Sequence, residues 1–247
     1  MIDKLYVIPA RMKSTRFPGK PLAKIWGTEM ILLTYNRLVL AGVSNDHIIV
    51  AIDNNYDLVK VLKTNKINYE IVRDAITGTD RVAEIARRIP ATYYVNLQGD
   101  EPLMPLENIQ RMSNLNLEGF GAAIGYCKIA TKAEQNSPKV PKIVFSTSGD
   151  LIYISRSSIP GSKFKDTIDF GYKQICIYIF NREILLENYN NIKTPLEQKE
   201  DIEILRLVEL GQKVKCVELL DSGISVDFKE DINHIENYYE RGDYLGF

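Results

Sequence analysis

The sequence predicts an α/β fold built on a mainly parallel central sheet with helices on both faces. Two observations carry this expectation. Short apolar runs alternate with amphipathic stretches through the first half of the chain, and the runs are nearly continuous in Val, Ile, Leu and Tyr instead of alternating with polar residues. Strands covered on both faces read that way, because βαβ crossovers place helices on either side of a parallel sheet. Residues 5–9 form the first strand, and 30–40 carry apolar positions at helical spacing and stop before Gly42. Strand 47–52 and helix 56–64 follow, then strand 69–72 and helix 79–88, which contains Ala83, Ile85 and Ala86. Strand 93–97 and helix 106–112 complete the alternation. Ligands of such sheets sit at the carboxyl ends of the strands. Those ends carry Ala10-Arg11, Asp53 and Gln98-Gly99-Asp100, although Asp53 alone reads equally as a loop or capping residue.

The second half reads differently. Residues 142–146 and 151–155 predict a hairpin about Ser148-Gly149-Asp150. Strand 174–180, helix 195–210, strand 214–219 and an amphipathic helix over 229–241 follow. No linker, repeat or low-complexity tract interrupts the 247 residues, so the expectation is one domain, 1–247, with a β-rich insertion at about 130–175. That lobe is placed to cover a substrate or to pair with another subunit.

Charge and composition exclude several classes of function. Lys and Arg number 31 and Asp and Glu 32, a net charge of −1, which leaves no global attraction for nucleic acid or an anionic membrane. No apolar run approaches the roughly 20 residues that span a bilayer. The start, Met-Ile-Asp-Lys, enters an apolar strand directly, without the pattern of a signal peptide. Cys127, Cys176 and Cys216 are odd in number and widely spaced, which suits free thiols in a reducing cytoplasm.

Against that neutral average, Arg11, Lys13, Arg16 and Lys20 fall within ten residues directly after the first strand. Arg forks, a Lys point charge, hydroxyls and a Gly for close backbone approach are what a polyphosphate needs. The loop matches neither a Walker A nor a G-x-G-x-x-G pattern. By charge alone it reads equally as a solvated basic loop.

The full run I-P-A-R-x-x-S-T-R-x-P-G-K-P-L resembles the opening signature of the 3-deoxy-manno-octulosonate (Kdo) cytidylyltransferases. The resemblance continues, in order and spacing, through Thr77-Gly78-Thr79-Asp80-Arg81, Asn96-Leu97-Gln98-Gly99-Asp100-Glu101-Pro102 and Ser155-Arg156-Ser157-Ser158-Ile159-Pro160. Thr194-Pro195-Leu196-Glu197 and Glu203-Ile204-Leu205-Arg206 match as well, with a looser match at Val226-Asp227. The resemblance implies a Rossmann-like, GT-A-like nucleotidyltransferase that is a homodimer. It implies CTP and an acidic sugar as substrates, with attack of the sugar's anomeric hydroxyl on the α-phosphate and loss of pyrophosphate.

By the same resemblance, Arg11, Arg16 and Lys20 hold the triphosphate, with Ser14 and Lys13 as weaker candidates and Ala10 at the loop's entry. Thr77, Gly78, Asp80, Arg81 and Gln98 lie at the nucleotide. Taken without the family, Thr79 caps a helix and Asp80 complements its dipole. Asp100 and Asp227 are expected to hold Mg²⁺, so that Lys20, Arg11, Asp100 and Asp227 form the catalytic set. As bare residues, Asp100 reads as the start of a turn and Asp227 as a helix cap. His47 and His234 lie in no matching motif.

The match frays at the sugar. Where Kdo-transferring members usually read H-L-G-I-Y this chain has Gln174-Ile175-Cys176-Ile177-Tyr178, and where they read L-E-Q-L-R it has Ile202-Glu203-Ile204-Leu205-Arg206. Gly161 stands where an aromatic is common, and Asp227-Phe228-Lys229-Glu230-Asp231 replaces D-T-P-E-D. The expected sugar-binding residues are Arg156, Gln174, Tyr178 and Glu203, with Glu203 equally readable as part of a solvated acidic helix face. These departures point to a modified or amino-substituted Kdo as the preferred acid. Another sugar nucleotidyltransferase, or a non-catalytic nucleotide-binding member, are the competing functions.

Overall fold

A computed structural model describes residues 2–14, 16–163 and 171–240. Thr15 of the basic loop, residues 164–170 of the expected insertion and Arg241 lie outside the described residues. In chain order the elements begin β1 (Ile2–Ala10), β2 (Lys24–Ile25), β3 (Thr28–Glu29), α1 (Met30–Leu40), β4 (Ile48–Ile52), α2 (Tyr56–Thr64) and β5 (Tyr69–Ile71). They continue with α3 (Gly78–Arg88), β6 (Ala91–Leu97), α4 (Leu106–Ser113), β7 (Ala122–Lys128), α5 (Lys132–Asn136), β8 (Lys142–Phe145) and β9 (Leu151–Ser155). The last are β10 (Tyr172–Asn181), α6 (Arg182–Asn188), α7 (Pro195–Glu200), α8 (Leu205–Glu209), β11 (Val214–Glu218) and α9 (Lys229–Tyr238).

The central sheet runs β11-β7-β10-β6-β1-β4-β5. Along this path only β10 is reversed: it pairs antiparallel with both β6 and β7, while β6, β1, β4 and β5 are mutually parallel and β11 is parallel to β7. β8 pairs with the start of β10 and with β9, so the hairpin extends the same sheet instead of standing apart from it.

Alternation along β1 builds two cores. Leu5 and Val7 face a layer that contains Val82, Ala83 and Ile85 of α3 and Leu185 of α6; Tyr6, Ile8 and Ala10 face Ile31 and Leu38 of α1, Leu62 of α2 and Met112 of α4. A smaller cluster of Ile25, Met30, Leu103, Val226, Ile232 and Ile235 seats α9 against β2 and so sets the position of residue 227. Burial of these side chains stabilises the fold by about 1.5–3 kcal/mol for each large aliphatic group.

Two elements carry weak sequence signals. β7 reads Ala-Ala-Ile-Gly, small residues with little strand preference, yet it is central because Gly125 and the alanines admit close neighbours. α6 is short and is started by the Asn181 side chain, which accepts from the Ile184 N–H.

The continuous helix expected over 195–210 is absent. α7 stops at Glu200, Asp201 takes a left-handed conformation (φ 51°), and α8 starts at Leu205. The break has a physical cause. Arg156 draws the Glu200 carbonyl to its Nε (2.6 Å) and the Asp201 carbonyl to its second terminal nitrogen (3.1 Å), so neither carries a helix onward. On the far side of the break, Arg206 of α8 is completely buried. Its guanidinium donates two bonds of 2.7 Å to Glu197 on α7, and bonds of 2.7 and 3.1 Å to Asp80 on α3. It also lies over the Tyr189 ring at 4.6 Å. Burial pushes the Asp80 carboxyl up, but hydrogen bonds from Arg206 and Thr77 outweigh it and hold the group below the ordinary carboxylate range.

Arg206→Met strands two buried carboxylates, and urea unfolding is expected to show a loss of about 3–5 kcal/mol. Because the Asp80 pKa is depressed on folding, its stabilisation is present above the ordinary carboxylate range and is lost as the pH falls through its lowered value.

Candidate active site

Two cavities open at the carboxyl end of the sheet. The first, of about 220 Å³, lies over the ends of β1 and β6. The second, of about 400 Å³, lies between β10, the segment after α5 and the approach to α9. They share Arg16, Gln98, Asp100, Arg156, Asp201 and Glu203.

The basic loop leaves β1 and is closed on itself. Gly19 adopts φ 76° and its N–H donates to the Met12 carbonyl at 2.9 Å. The Met12 N–H in turn donates to the Asp53 carboxylate, at 3.2 and 3.1 Å to its two oxygens. Asp53 is therefore the anchor of the loop. Ala10, Arg11, Ser14, Arg16 and Lys20 line the first cavity, whereas Lys13 is exposed and does not. Gly99 passes beneath it: a Cβ there would lie 2.7 Å from the Pro9 carbonyl oxygen, so only glycine lets β6 and β1 approach at that height.

Lys20 sits between the two expected metal carboxylates. Its Nζ is 2.6 Å from Asp100 Oδ2 and 4.0 Å from Asp227 Oδ1, and it also donates to the Val226 carbonyl at 2.9 Å. Arg16 lies 3.2 Å from the other Asp227 oxygen. Asp227 is not the helix cap that its position allows. Asp231 accepts the N–H groups of Asp227 (2.8 Å) and Phe228 (2.7 Å), which leaves the Asp227 side chain free to face the cations. Two carboxylates from distant parts of the chain, already arranged about one cation, fit Mg²⁺, which takes one or two carboxylates and completes its shell with water and phosphate oxygens.

The start of α3 corrects three sequence expectations. Thr77, not Thr79, is the N-cap, accepting from the Asp80 N–H at 3.0 Å. Asp80 does not line either cavity: both its oxygens are taken by Arg206, Thr77 and the Asn191 N–H, so it holds the helix and not a ligand. Glu203 is not part of a solvated helix face: it lines both cavities and at the same time holds the start of α3. Its oxygens accept from the Gly78 N–H (2.9 Å), the Thr79 N–H (2.6 Å) and the Thr79 hydroxyl (2.5 Å). An acid capping a helix N-terminus satisfies donors that a helix leaves open. Thr77, Gly78, Arg81 and Gln98 do line the first cavity, with Arg81 steadied by a 2.6 Å bond to the Val72 carbonyl.

The second cavity brings Arg156, Gln174 and Tyr178 together with a residue outside the expected set, Glu101. Gln174 Nε2 donates to the Tyr178 hydroxyl and, at 3.5 Å, to Cys176 Sγ. Glu101 is buried, accepts from the Ser225 hydroxyl and leaves its second oxygen without a partner. Burial, and then the neighbouring Asp100 charge, push its carboxyl up to about 8. It follows Asp100 directly in the sequence, but nothing local distinguishes a carboxyl that turns inward from one that faces solvent.

With this geometry in view, comparison with known proteins is informative. A sequence model of the cytidylyltransferase family matches residues 5–215. A 3-deoxy-manno-octulosonate cytidylyltransferase of Geobacter metallireducens is 35% identical over 242 residues, covering 93% of this chain and 94% of its own. That of Myxococcus xanthus is 36% identical over 232 residues, covering 93% and 94%. The chain belongs to the 3-deoxy-manno-octulosonate cytidylyltransferase family. Among solved structures, a CMP:2-keto-3-deoxy-manno-octonic acid synthetase complexed with CTP superimposes with a TM-score of 0.84 at 30% identity, covering 95% of this chain and 97% of the other. A 4-diphosphocytidyl-2C-methyl-D-erythritol synthase from Anaerococcus prevotii shares the fold alone, at a TM-score of 0.65 and 17% identity. As in other cytidylyltransferases, the architecture is α/β about a mostly parallel sheet.

The raised Glu101 pKa has a measurable consequence in this cytidylyltransferase. The folded state binds a proton there that the unfolded state releases, so stability falls as the pH rises from about 4.5 to about 8. Glu101→Gln is expected to flatten that part of the pH–stability curve in thermal melts recorded with a chelator.

Proposed function

We propose that this chain transfers CMP from CTP to the anomeric hydroxyl of a 3-deoxy-octulosonate sugar acid, Kdo or a modified Kdo, and releases pyrophosphate. The observation that carries this reading is the junction of the two cavities. A cationic cleft suited to a triphosphate meets a polar cavity of sugar size at Arg16, Asp100 and Arg156. An attack by one substrate on the α-phosphate of the other needs such a meeting point.

In this reading Arg11 and Arg16 grip the phosphate oxygens from the loop that Asp53 anchors. Gly78, held by Glu203, and Thr77, held by Asp80, frame the base side of the cleft with Gln98. The sugar oxygen forms a bond to the α-phosphorus while the bond from that phosphorus to the pyrophosphate oxygen breaks. Lys20 stands where charge accumulates on the leaving oxygens, and a fixed donor there favours the transition state over the ground state. Asp100 and Asp227 would hold Mg²⁺, which when bound neutralises phosphate charge and makes the attacking hydroxyl more acidic. Arg156 faces the sugar carboxylate, and Gln174 and Tyr178 line the wall beside it.

We extend the proposal to a homodimer in the cytoplasm, where CTP is supplied. Ile152 of β9, 53% exposed, and Tyr172 at the start of β10, 37% exposed, support a subunit contact on the hairpin.

Lys20→Ala is expected to lower kcat by about 100-fold or more with an unchanged melting transition; near-normal turnover would refute its role. A pyrophosphate-release assay offering CTP, UTP or ATP with octulosonates altered at C7 and C8, and with sugar 1-phosphates, is expected to respond to CTP with a sugar acid. Release with a sugar 1-phosphate, or none with any acid despite CTP binding, would overturn the reading.

A further inference from the structure

Behind Arg156 lies a second cation that touches neither cavity. Lys142 opens β8 and its side chain is completely buried. Its Nζ donates to three backbone carbonyls, those of Ser137 (2.7 Å), Val140 (2.6 Å) and Arg156 (2.8 Å). Three acceptors at this range occupy all three N–H bonds of an ammonium, whereas a neutral amine has only two. The lysine is therefore charged where it stands, even though burial, and then the Arg156 charge, push its pKa down against the pull of Glu200. Among the described residues no carboxylate oxygen comes within 4.0 Å of it.

Arg156 is held in the same manner. Its guanidinium donates to the carbonyls of Glu200 (2.6 Å), Pro138 (3.0 Å) and Asp201 (3.1 Å). Among the described residues three of its five N–H bonds are used, on a side chain that lines both cavities. Glu200 joins the knot through its carboxylate, which accepts from the Ser155 hydroxyl (2.7 Å) and the Arg156 backbone N–H (2.9 Å). Burial pushes the neighbouring Asp201 carboxyl up, but Lys193 and then the Arg156 charge hold it below the ordinary range. Among the described residues no carboxylate oxygen lies within 4.0 Å of the side-chain nitrogens of Lys142 or Arg156, so carbonyl dipoles orient both cations without a contact ion pair.

We propose that Lys142 is a positioning residue for the acidic substrate: it fixes Arg156 and the 137–140 wall of the sugar cavity, and its charge completes a subsite for one carboxylate. The inference rests on the reading of the second cavity as the sugar site. Lys142 touches no substrate. It acts through the Arg156 carbonyl and through a field that a low-dielectric interior screens weakly.

The test compares the sugar acid with its uncharged C1 carboxamide as ligands of the wild type and of Lys142→Met, a neutral side chain of similar length. In the variant, KM for the sugar acid is expected to rise at least about tenfold, KM for CTP to stay within about twofold, and carboxamide binding, which loses only the wall's support, to weaken by no more than about threefold. Equal weakening of acid and carboxamide would mean that Lys142 only props the loop, and would overturn the proposal; so would no change in either. Should Lys142→Met fold poorly, Lys142→Gln keeps two donors on the ring of carbonyls, removes the charge, and carries the same comparison. Failure of the underlying reading looks different: wild-type protein would release no pyrophosphate with any sugar acid and would bind acid and carboxamide alike, which overturns both.

Discussion

The cleft depends on one buried ionic contact. Arg206 spans from Asp80 at the first turn of α3 to Glu197 on α7, with all three side chains sealed from water. Such a triad contributes little net stability compared with an apolar replacement, because desolvation offsets most of the attraction. What it contributes is geometry. Asp80 and Thr77 set the start of α3, and one turn before Arg206 on the same segment Glu203 accepts the first N–H groups of that helix. The nucleotide side of the cleft is thus fastened from behind by a guanidinium that never reaches it.

The same economy governs charge. The chain is neutral as a whole, and its cations are divided between two kinds of partner. Lys20 and Arg16 face the carboxylates Asp100 and Asp227 across the mouth of the first cavity, an arrangement that a polyphosphate and a divalent cation can enter by exchanging partners. Arg156 and Lys142 face backbone carbonyls, which orient a cation without neutralising it. One set is poised for exchange; the other is oriented by carbonyls alone.

Much of this was legible in the chain itself. β1, β4, β5 and β6 and the helices between them are marked by apolar runs and caps, whereas the two-residue strands β2 and β3 are not, and the four loop cations follow β1 where the architecture expects a ligand. Asp80 shows what the sequence leaves open: an acidic side chain near a helix start looks the same whether it meets solvent, substrate or a buried arginine from elsewhere. The helix expected over 195–210 is broken by contacts the periodicity does not carry: Arg156 takes the Glu200 and Asp201 carbonyls, and Asp201 turns left-handed.

Local pattern by itself determined the main strand–helix alternation up to residue 112 and the basic loop, because periodicity and capping act over a few residues, and motifs kept in order along the chain carried the resemblance to the family. Only the tertiary structure decided the reversed direction of β10, the inward turn of Glu101, the anchoring role of Asp53 and the knot of Lys142 with Arg156. Each of these depends on partners beyond the reach of a local pattern, from 14 residues away between Lys142 and Arg156 to 124 between Glu101 and Ser225, and burial, not residue type, decides whether a charged side chain meets water, a ligand or another part of the chain.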